Sequence, residues 1–200
     1  MNRMSVEQRR AKLVDAAIEV MSRDGVGRAT TRAIVTEAGM TTGAFHYCFF
    51  SKEELVLEVM RSTHAGALGV VSATVDHDGG GPDLIDRAVW AYVDHVASDA
   101  SRRQLVFELS LHALRESGLR DAAVKYHRAK LDRAAALLQR MAQVGGFGWR
   151  RPTDELARLT LGIVDGVSYQ WLVTGEEFVP QRLHETVTQF LRMQADTTSG

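Results

Sequence analysis

The sequence predicts an all-α fold of about nine helices. Only three prolines occur in 200 residues, so long stretches are compatible with helices. Glycines cluster at residues 79–81 and 145–148, where they separate helical segments. No alternation of apolar and polar residues bounded by tight turns indicates β-strands.

The first three predicted helices are short and have clear caps. Apolar residues recur on one face of the first helix, at Leu13, Val14, Ala17, Ile18 and Met21. Gly25 predicts its C-terminal cap. Thr30 predicts the N-cap of a second helix that closes at Gly39, and Thr41 the N-cap of a third helix that reaches about Tyr47.

The remaining helices are longer. Ser51 and Glu54, three residues apart, predict a capping box at the start of a fourth helix that extends to about Val75. Later helices are predicted at about residues 83–98, 101–117, 119–144, 153–174 and 181–194.

Composition is that of a globular chain, with 45% hydrophobic and 24% charged residues. The single cysteine, Cys48, excludes an intrachain disulfide and favours the cytosol. The N-terminal residues lack the apolar core of a secretory leader, and the apolar stretch 159–175 is interrupted by Asp165. That stretch is shorter than the roughly 20 residues of a membrane span. We therefore expect a cytoplasmic protein with no membrane segment.

Net charge gives no global signature of a nucleic-acid-binding protein. The chain carries a formal charge of −1, whereas such proteins usually neutralise phosphates with a basic surface. Residues 1–61 contain nine Lys and Arg against eight Asp and Glu. A basic DNA-facing surface must therefore arise from segregation of charges.

Residues 30–49 have the layout of a helix-turn-helix, in which the last helix enters the major groove. The surrounding sequence, ATTRAIVTEAGMTTGAFHYCFFSKEEL, resembles the signature of the tetracycline-repressor (TetR) family. The resemblance covers about residues 9–57. Three positions differ from the commonest family pattern: His46 stands where Tyr is usual, Cys48 where His or Tyr is usual, and Phe50 where Pro is frequent.

The resemblance implies a set of DNA contacts. Base edges are approached by Thr41, Thr42, Gly43 and Ala44, and phosphates are held by Thr30, His46, Tyr47 and Lys52. Hydroxyl, small and cationic residues suit these roles, and Arg32 is expected to reach the backbone or a guanine. The alternative is that Thr30 and Thr41 are only helix caps, Lys52 only a solvated charge, and His46 only a partly buried aromatic residue. We expect Phe45 and Phe49 in the core, with Cys48 as an apolar filler.

The family resemblance further implies a homodimeric regulator, most simply a repressor that a small-molecule inducer releases from a palindromic double-stranded DNA operator. In this reading residues 1–52 form the DNA-binding domain and residues 53–200 a helical bundle for ligand binding and dimerisation. Apolar ridges of the last two helices are expected to pair with their symmetry mates. The predicted interface residues are Leu156, Leu159, Ile163, Val167, Leu183, Val187, Phe190 and Leu191.

Helix 101–117 is apolar almost all round, which predicts a central, buried helix. Because polar groups on a buried helix need partners, Glu108 and His112 are expected to face a ligand pocket. Its predicted aromatic walls are Phe107, Trp90, Trp149, Tyr169 and Trp171. The alternative leaves Glu108 and His112 as an exposed pair and the aromatic residues as plain core.

Other functional classes find little support in the sequence. It contains no Gly-x-Ser-x-Gly, no His-Glu-x-x-His and no glycine-rich phosphate loop, so we predict no enzyme, catalytic residue, cofactor or metal site. The alternative function is a helical scaffold or adaptor without DNA binding, since the C-terminal helices alone indicate only a bundle.

Overall fold

The computed structural model describes residues 4–77, 79–81, 83–175 and 180–196. Within these ranges the chain forms nine α-helices, confirming the predicted all-α fold: α1 (Val6–Asp24), α2 (Thr31–Glu37), α3 (Thr42–Cys48), α4 (Lys52–His77), α5 (Leu84–Ala97), α6 (Ala100–Arg115), α7 (Ser117–Gly145), α8 (Thr153–Thr174) and α9 (Pro180–Gln194). Across these ranges, every helix falls short of the length and apolar character that crossing a membrane requires.

One small ladder was not predicted. Strand β1 (Gly148–Trp149) pairs antiparallel with β2 (Ala195–Asp196), so that Gly148 lies opposite Asp196. Two residues are too few to carry an alternating pattern, which is why the sequence gives no sign of this pairing.

The chain packs as two compact units, each with its own apolar core. The first unit comprises Met1–His64 with Ser101–Tyr126, and the second comprises Ala65–Ala100 with His127–Gly200. In the second unit α5 and α8 both pack on α9. Its core includes Leu84, Val93, Leu156, Val164 and Leu183, all essentially inaccessible to solvent.

Side-chain and glycine caps set the ends of the first helices. The Ser5 hydroxyl accepts from the Gln8 N–H at 3.1 Å, and the Gln8 side chain accepts from the Ser5 N–H at 2.8 Å. Gly25 ends α1 with φ +86°, and its N–H donates to the Met21 carbonyl. Gly39, between α2 and α3, has φ +60°, a conformation that favours glycine. The predicted caps at Gly25, Thr30 and Thr41 are confirmed.

The first unit is built around aromatic and aliphatic side chains from α1, α2 and α3. Leu13, Ile34, Phe45 and Phe49 are fully buried in one cluster, and Cys48 is buried beside them. This confirms the expectation that the two phenylalanines and the cysteine serve the core. Burying such side chains contributes about 1.5–3 kcal/mol each to the transfer free energy.

The prediction that helix 101–117 is wholly buried is wrong. The observed α6 buries a single face, formed by Arg103, Leu105, Leu109 and Ala113. Leu111 and Leu114 are 59% and 50% exposed. Apolar residues on all sides of a helix therefore do not mean that every side is buried, because the surfaces of soluble proteins also carry apolar atoms.

Candidate nucleic-acid interface and apolar cavity

Helix α3 presents one buried and one exposed face. Phe45 and Cys48 anchor it in the core. The exposed face of α3, as we name it, consists of Thr42, Gly43, His46 and Tyr47. Tyr47 is 67% exposed, although a tyrosine ring of this kind is usually more buried.

The exposed face of α3 has the chemistry of a base-reading helix. A major groove about 12 Å wide admits an α-helix, and hydroxyl and imidazole groups exchange hydrogen bonds with base edges and phosphates. Gly43 has no side chain, and a Cβ there would meet only the Thr41 hydroxyl at 3.8 Å. Ala44, also predicted at base edges, is partly buried, whereas the other predicted α3 residues are exposed.

The predicted contacts outside this face are also solvent-accessible. Thr30 is exposed, and its hydroxyl oxygen accepts from the Ala33 N–H at 3.1 Å; Thr41 likewise accepts from the Ala44 N–H at 3.3 Å. Both residues therefore act as helix caps, and a capping hydroxyl keeps its own proton available for a phosphate. Arg32 is exposed on α2.

Lys52, at the start of α4, is half-buried. Its ammonium Nζ donates to the Val26 carbonyl at 3.4 Å. Because an ammonium has three donors, this contact leaves capacity for a phosphate. The pKa of neighbouring Glu53 is lowered by hydrogen bonds from its own backbone N–H and from Ser51, so the carboxylate stays ionised beside Lys52.

Arg10 on α1 fixes the turn between α3 and α4, a role that sequence reasoning missed. Its guanidinium donates to the Cys48 carbonyl and, at 3.1 Å, to the Glu54 carboxylate. It also lies 4.1 Å from the centre of the Phe49 ring, a cation–π contact. No local pattern links Arg10 to a carbonyl 38 residues later, so the sequence held no signal for it.

The predicted capping box of α4 forms only in part. The Glu54 N–H donates to the Ser51 hydroxyl at 3.2 Å, as predicted. The Glu54 carboxylate instead accepts from the Phe50 N–H at 2.8 Å, one residue earlier than the box requires. The reason is Arg10, which holds the other carboxylate oxygen. The ring of Phe50 is left 95% exposed.

Glu108 has a structural partner within the first unit. Its Oε2 accepts from the Val26 N–H at 3.1 Å, and a Cβ on Gly25 would lie 3.6 Å from the same oxygen. His112 is partly exposed one turn further along α6. Glu108 therefore ties α6 to the loop after α1.

The second unit contains a cavity of about 70 Å³ whose walls are almost entirely apolar. Side chains from α4, α5, α7, α8 and α9 line it, among them Leu68, Val71, Val89, Leu138, Leu161 and Leu191. Two polar residues reach its wall, Tyr92 and Thr160. The cavity is partly open to the surface, and its apolar lining, though not its small volume, is typical of small-molecule sites.

The predicted ligand residues do not line this cavity. Two of them, Glu108 and His112, line a separate, more open pocket of the first unit, beside Gly25 and Arg28. Trp90 is exposed and stacks on His184 at 4.2 Å. The Trp149 indole N–H donates to the Leu138 carbonyl at 2.8 Å, while Tyr169 is exposed and Trp171 partly so. Phe107, Glu108 and His112 belong to the first unit. Aromatic residues were a poor guide here because the cavity walls are mainly aliphatic.

The predicted dimer interface divides by burial within the chain. Four of its residues are buried within the core of the second unit and are closed to a partner: Leu156, Leu183, Val187 and Leu191. Ile163, Val167 and Phe190 are partly buried against that core, and Leu159 is exposed. The apolar ridges of α8 and α9 thus face their own chain, because these two helices pack on each other and on α5.

A different stripe of α8 is exposed to solvent. We call it the α8 seam: Leu159, Gly162, Gly166, Tyr169 and Val173, all exposed. Their spacing of three and four residues is the heptad spacing of helices that pair. A Cβ on Gly162 or Gly166 would meet nothing within 4 Å, so packing within the chain does not require glycine there.

Known proteins resemble both the helix-turn-helix and most of the chain. A family model described as bacterial regulatory proteins of the tetR family matches residues 13–59. The HTH-type nicotine-responsive transcriptional repressor HdnoR of Paenarthrobacter nicotinovorans is 48% identical over 54 residues, which are 27% of this chain and 28% of that protein. The uncharacterized HTH-type transcriptional regulator YfiR of Bacillus subtilis is 24% identical over 180 residues, covering 86% of this chain and 83% of that protein.

A solved structure supports the same relationship. The multidrug binding protein EbrR complexed with imidazole superposes with a TM-score of 0.67 and 26% identity, covering 92% of this chain and 94% of that chain. The residues matched by the family model include α2, α3 and the start of α4. The exposed face of α3 therefore lies inside the segment that the family model matches.

Proposed function

The chain belongs to the TetR family of ligand-responsive, DNA-binding transcriptional regulators, and from this premise we propose that it is a homodimeric repressor acting in the cytoplasm. The exposed face of α3 reads one half of a palindromic operator, and a small molecule bound in the second unit releases the DNA. Residues 1–52 bind DNA, and residues 53–200 carry the ligand site and the dimer interface.

The observation that carries this proposal is the exposed face of α3. Thr42, His46 and Tyr47 are exposed to solvent, whereas Phe45 and Cys48 fix the helix from behind. In the proposal Thr41, Thr42, Gly43 and Ala44 approach base edges, and the remaining predicted residues hold phosphates: Thr30, Arg32, His46, Tyr47 and Lys52.

A binding titration tests the proposal. Labelled DNA from upstream of the gene is titrated with the purified chain and compared with unrelated duplex over a range of salt concentrations. We expect specific DNA to bind roughly a thousandfold or more tightly than unrelated DNA, and both affinities to fall steeply with salt. Thr42→Ala should weaken specific binding about tenfold without changing the thermal melt, whereas Gln104→Ala, exposed on α6, should change neither.

The scaffold or adaptor alternative makes the opposite forecast for the same titration. A helical adaptor has no preference for any duplex, so specific and unrelated DNA would give the same affinity. Equal affinities for every upstream fragment tested would reject the repressor. A loss of folding in Thr42→Ala would instead show that the residue belongs to the core.

The α8 seam supports the homodimer. Leu159, Tyr169 and Val173 place apolar side chains in solvent at heptad spacing, and two glycines between them allow close approach of a second helix. A two-fold dimer places two recognition helices about 34–36 Å or a multiple apart, which demands a palindromic operator.

Ligand control is supported by the apolar cavity. HdnoR is a nicotine-responsive repressor and EbrR is a multidrug binding protein, and this chain has a cavity with an apolar lining. Binding shifts the population towards the state that the ligand prefers, and its difference in affinity for the two states sets the size of the response.

A further inference from the structure

The chemical class of the ligand follows from one unsatisfied hydroxyl in the cavity wall. Thr160 Oγ1 is inaccessible to solvent and has no hydrogen-bond partner among the described residues. Other threonines in the helices behave differently: Thr74, Thr174 and Thr186 donate to the carbonyl four residues earlier, at 3.0, 3.0 and 2.8 Å. Thr160 alone of these four leaves that bond unmade, at a position that borders the cavity.

A buried polar group without a partner is costly, and a ligand group that bonds to it recovers the cost. The remaining walls offer aliphatic carbon, as at Val71, Val89 and Leu161. Among the residues that the structure describes, no lysine, arginine, histidine, aspartate or glutamate lines the cavity. The buried Lys130 on α7 is paired with Asp165 at 3.8 Å and is not part of the wall.

Resting on the proposed ligand control, we propose that the cavity binds an uncharged, mainly apolar molecule that carries one hydrogen-bonding group, docked against Thr160 Oγ1. An ion is excluded because it would lose its hydration without gaining a counter-charge. The cavity holds only part of such a molecule, since about 70 Å³ is less than half of the roughly 150 Å³ cavity that holds benzene in another protein. The rest of an alkyl chain extends through the open side of the cavity.

Three probes that share one chain and differ at one end test this class: 1-hexanol, hexanoate and hexylammonium. Each is titrated into the full chain while the midpoint of thermal unfolding is followed, because a ligand that binds only the folded state raises it. We expect 1-hexanol to raise the midpoint in a saturable manner and the two ions to leave it unchanged. Equal stabilisation by hexanoate or hexylammonium would overturn the proposal.

Substitution of Thr160 locates the contact. Thr160→Val should weaken 1-hexanol binding about tenfold, since one hydrogen bond is lost. The unliganded variant should melt at the same or a higher temperature, because an unsatisfied hydroxyl is removed. Thr174→Val is the matched control on α8, where the hydroxyl already bonds to Gln170, and it should leave 1-hexanol affinity unchanged. Unaltered affinity in Thr160→Val would overturn the assignment.

These outcomes separate the ligand class from ligand control. If 1-hexanol binds through Thr160 yet leaves DNA affinity unchanged, the proposed class of ligand is correct and the proposed control of DNA binding by the ligand is wrong. If a charged molecule proves to bind the cavity and releases DNA, control stands and the class fails.

A second, independent observation concerns Phe50. Its phenyl ring is 95% exposed, while its backbone N–H is held by Glu54 at 2.8 Å and Glu54 by Arg10. The ring is therefore held out in solvent by a fixed turn, directly after the exposed face of α3. Single exposed apolar residues are common on protein surfaces, so it is the position of Phe50 beside the exposed face of α3, together with its exposure, that points to a partner.

We infer that duplex DNA covers Phe50, with the ring packed on deoxyribose carbons beside the groove that α3 enters. This follows from continuity with the exposed face of α3, where Tyr47 is the neighbouring exposed aromatic residue. Such a contact is apolar, so it adds affinity without neutralising a phosphate.

The salt dependence of DNA binding tests this contact. Phe50→Ala should weaken binding about tenfold at every salt concentration while the slope of log affinity against log salt stays unchanged. Phe50→Leu should recover part of the loss, and Leu111→Ala, also an exposed apolar residue, should have no effect. Native affinity in Phe50→Ala, or a changed slope, would overturn the inference. Absence of specific binding by the unaltered chain would instead refute the proposed function.

Discussion

The Glu108 carboxylate of α6 accepts a hydrogen bond from the Val26 N–H at 3.1 Å, across 82 positions of sequence. Val26 is buried, and its carbonyl oxygen accepts from Lys52 at 3.4 Å. Both polar groups of one peptide position in the loop before α2 are thus satisfied by side chains. Without them this loop would bury unpaired backbone groups.

Removing the acceptor should destabilise the first unit. We expect Glu108→Ala to lower the free energy of unfolding by about 1–3 kcal/mol, because the Val26 N–H loses its partner in a partly buried place. Glu108→Gln keeps an acceptor oxygen and should lose much less. Urea unfolding of both variants measures the difference. Equal loss in the two variants would show that charge, not the hydrogen bond, matters.

A phosphate contact by Lys52 has a distinct signature. Lys52→Ala should weaken the binding of specific and of unrelated DNA about equally. It should also reduce the slope of log affinity against log salt by roughly one unit. Lys125→Ala, an exposed lysine on α7, is the control and should leave the slope unchanged. Anisotropy titrations between low and moderate salt measure both slopes. A change in base preference would contradict a backbone role for Lys52.

The α8 seam predicts that bulk at a glycine blocks dimerisation. Gly162→Leu should yield a folded monomer by sedimentation, because a Cβ added at this exposed position meets nothing within 4 Å in its own chain, whereas a leucine side chain obstructs a second helix. Leucine also has the higher helix propensity, so the monomer itself should not lose stability.

Gly69→Leu on α4 is the matched control for the seam. It lies at an equally open, exposed helical position, where an added Cβ also meets nothing within 4 Å. This variant should remain a dimer. A dimeric Gly162→Leu variant would place the interface elsewhere.

Acid should weaken the protein partly through Glu58. Its pKa is lowered by the hydrogen bond from Arg61, which donates through Nε at 3.1 Å. A lowered pKa in the folded state means that the contribution to stability is complete above the ordinary glutamate pKa of about 4.3 and is lost as pH falls below it. Between about pH 5 and pH 3 we therefore expect the free energy of unfolding to fall less in Glu58→Gln than in the unaltered protein.

Urea unfolding across that pH range, with Arg61→Gln completing a double-mutant cycle, measures the coupling of this pair. The coupling should be present at neutral pH and absent at the acid end. A coupling that does not depend on pH would mean that the ion pair contributes nothing to the acid response.

Local signals predicted the fold and the exposed face of α3. Helix caps involve residues that are close together in the sequence, so the sequence predicts them. This applies to the caps at Thr30 and Thr41 and to the glycines after α1 and α2. The pocket and the interface were predicted less well, because they depend on which face of each helix packs inward. Leu156 and Leu159 are both apolar residues of α8, yet one is in the core and the other in solvent.

Contacts between distant residues escaped prediction for the same reason. The bonds from Arg10 to Glu54 and from Glu108 to Val26 join positions 44 and 82 apart. The hydroxyl of Thr160 has no hydrogen-bond partner among the described residues because of the packing around it. The residues adjacent to Thr160 in the sequence do not distinguish it from Thr174, whose hydroxyl is bonded.

The two-faced construction of α3 bears on how operator preference changes during evolution. Phe45 and Cys48 hold the helix, Thr41 caps it, and Arg10 secures the turn that follows. The outward positions Thr42, Gly43, His46 and Tyr47 are therefore free to vary without a stability penalty from the core. Duplicated copies of such a gene can acquire new target sequences through a few substitutions at one surface, while the scaffold beneath stays constant.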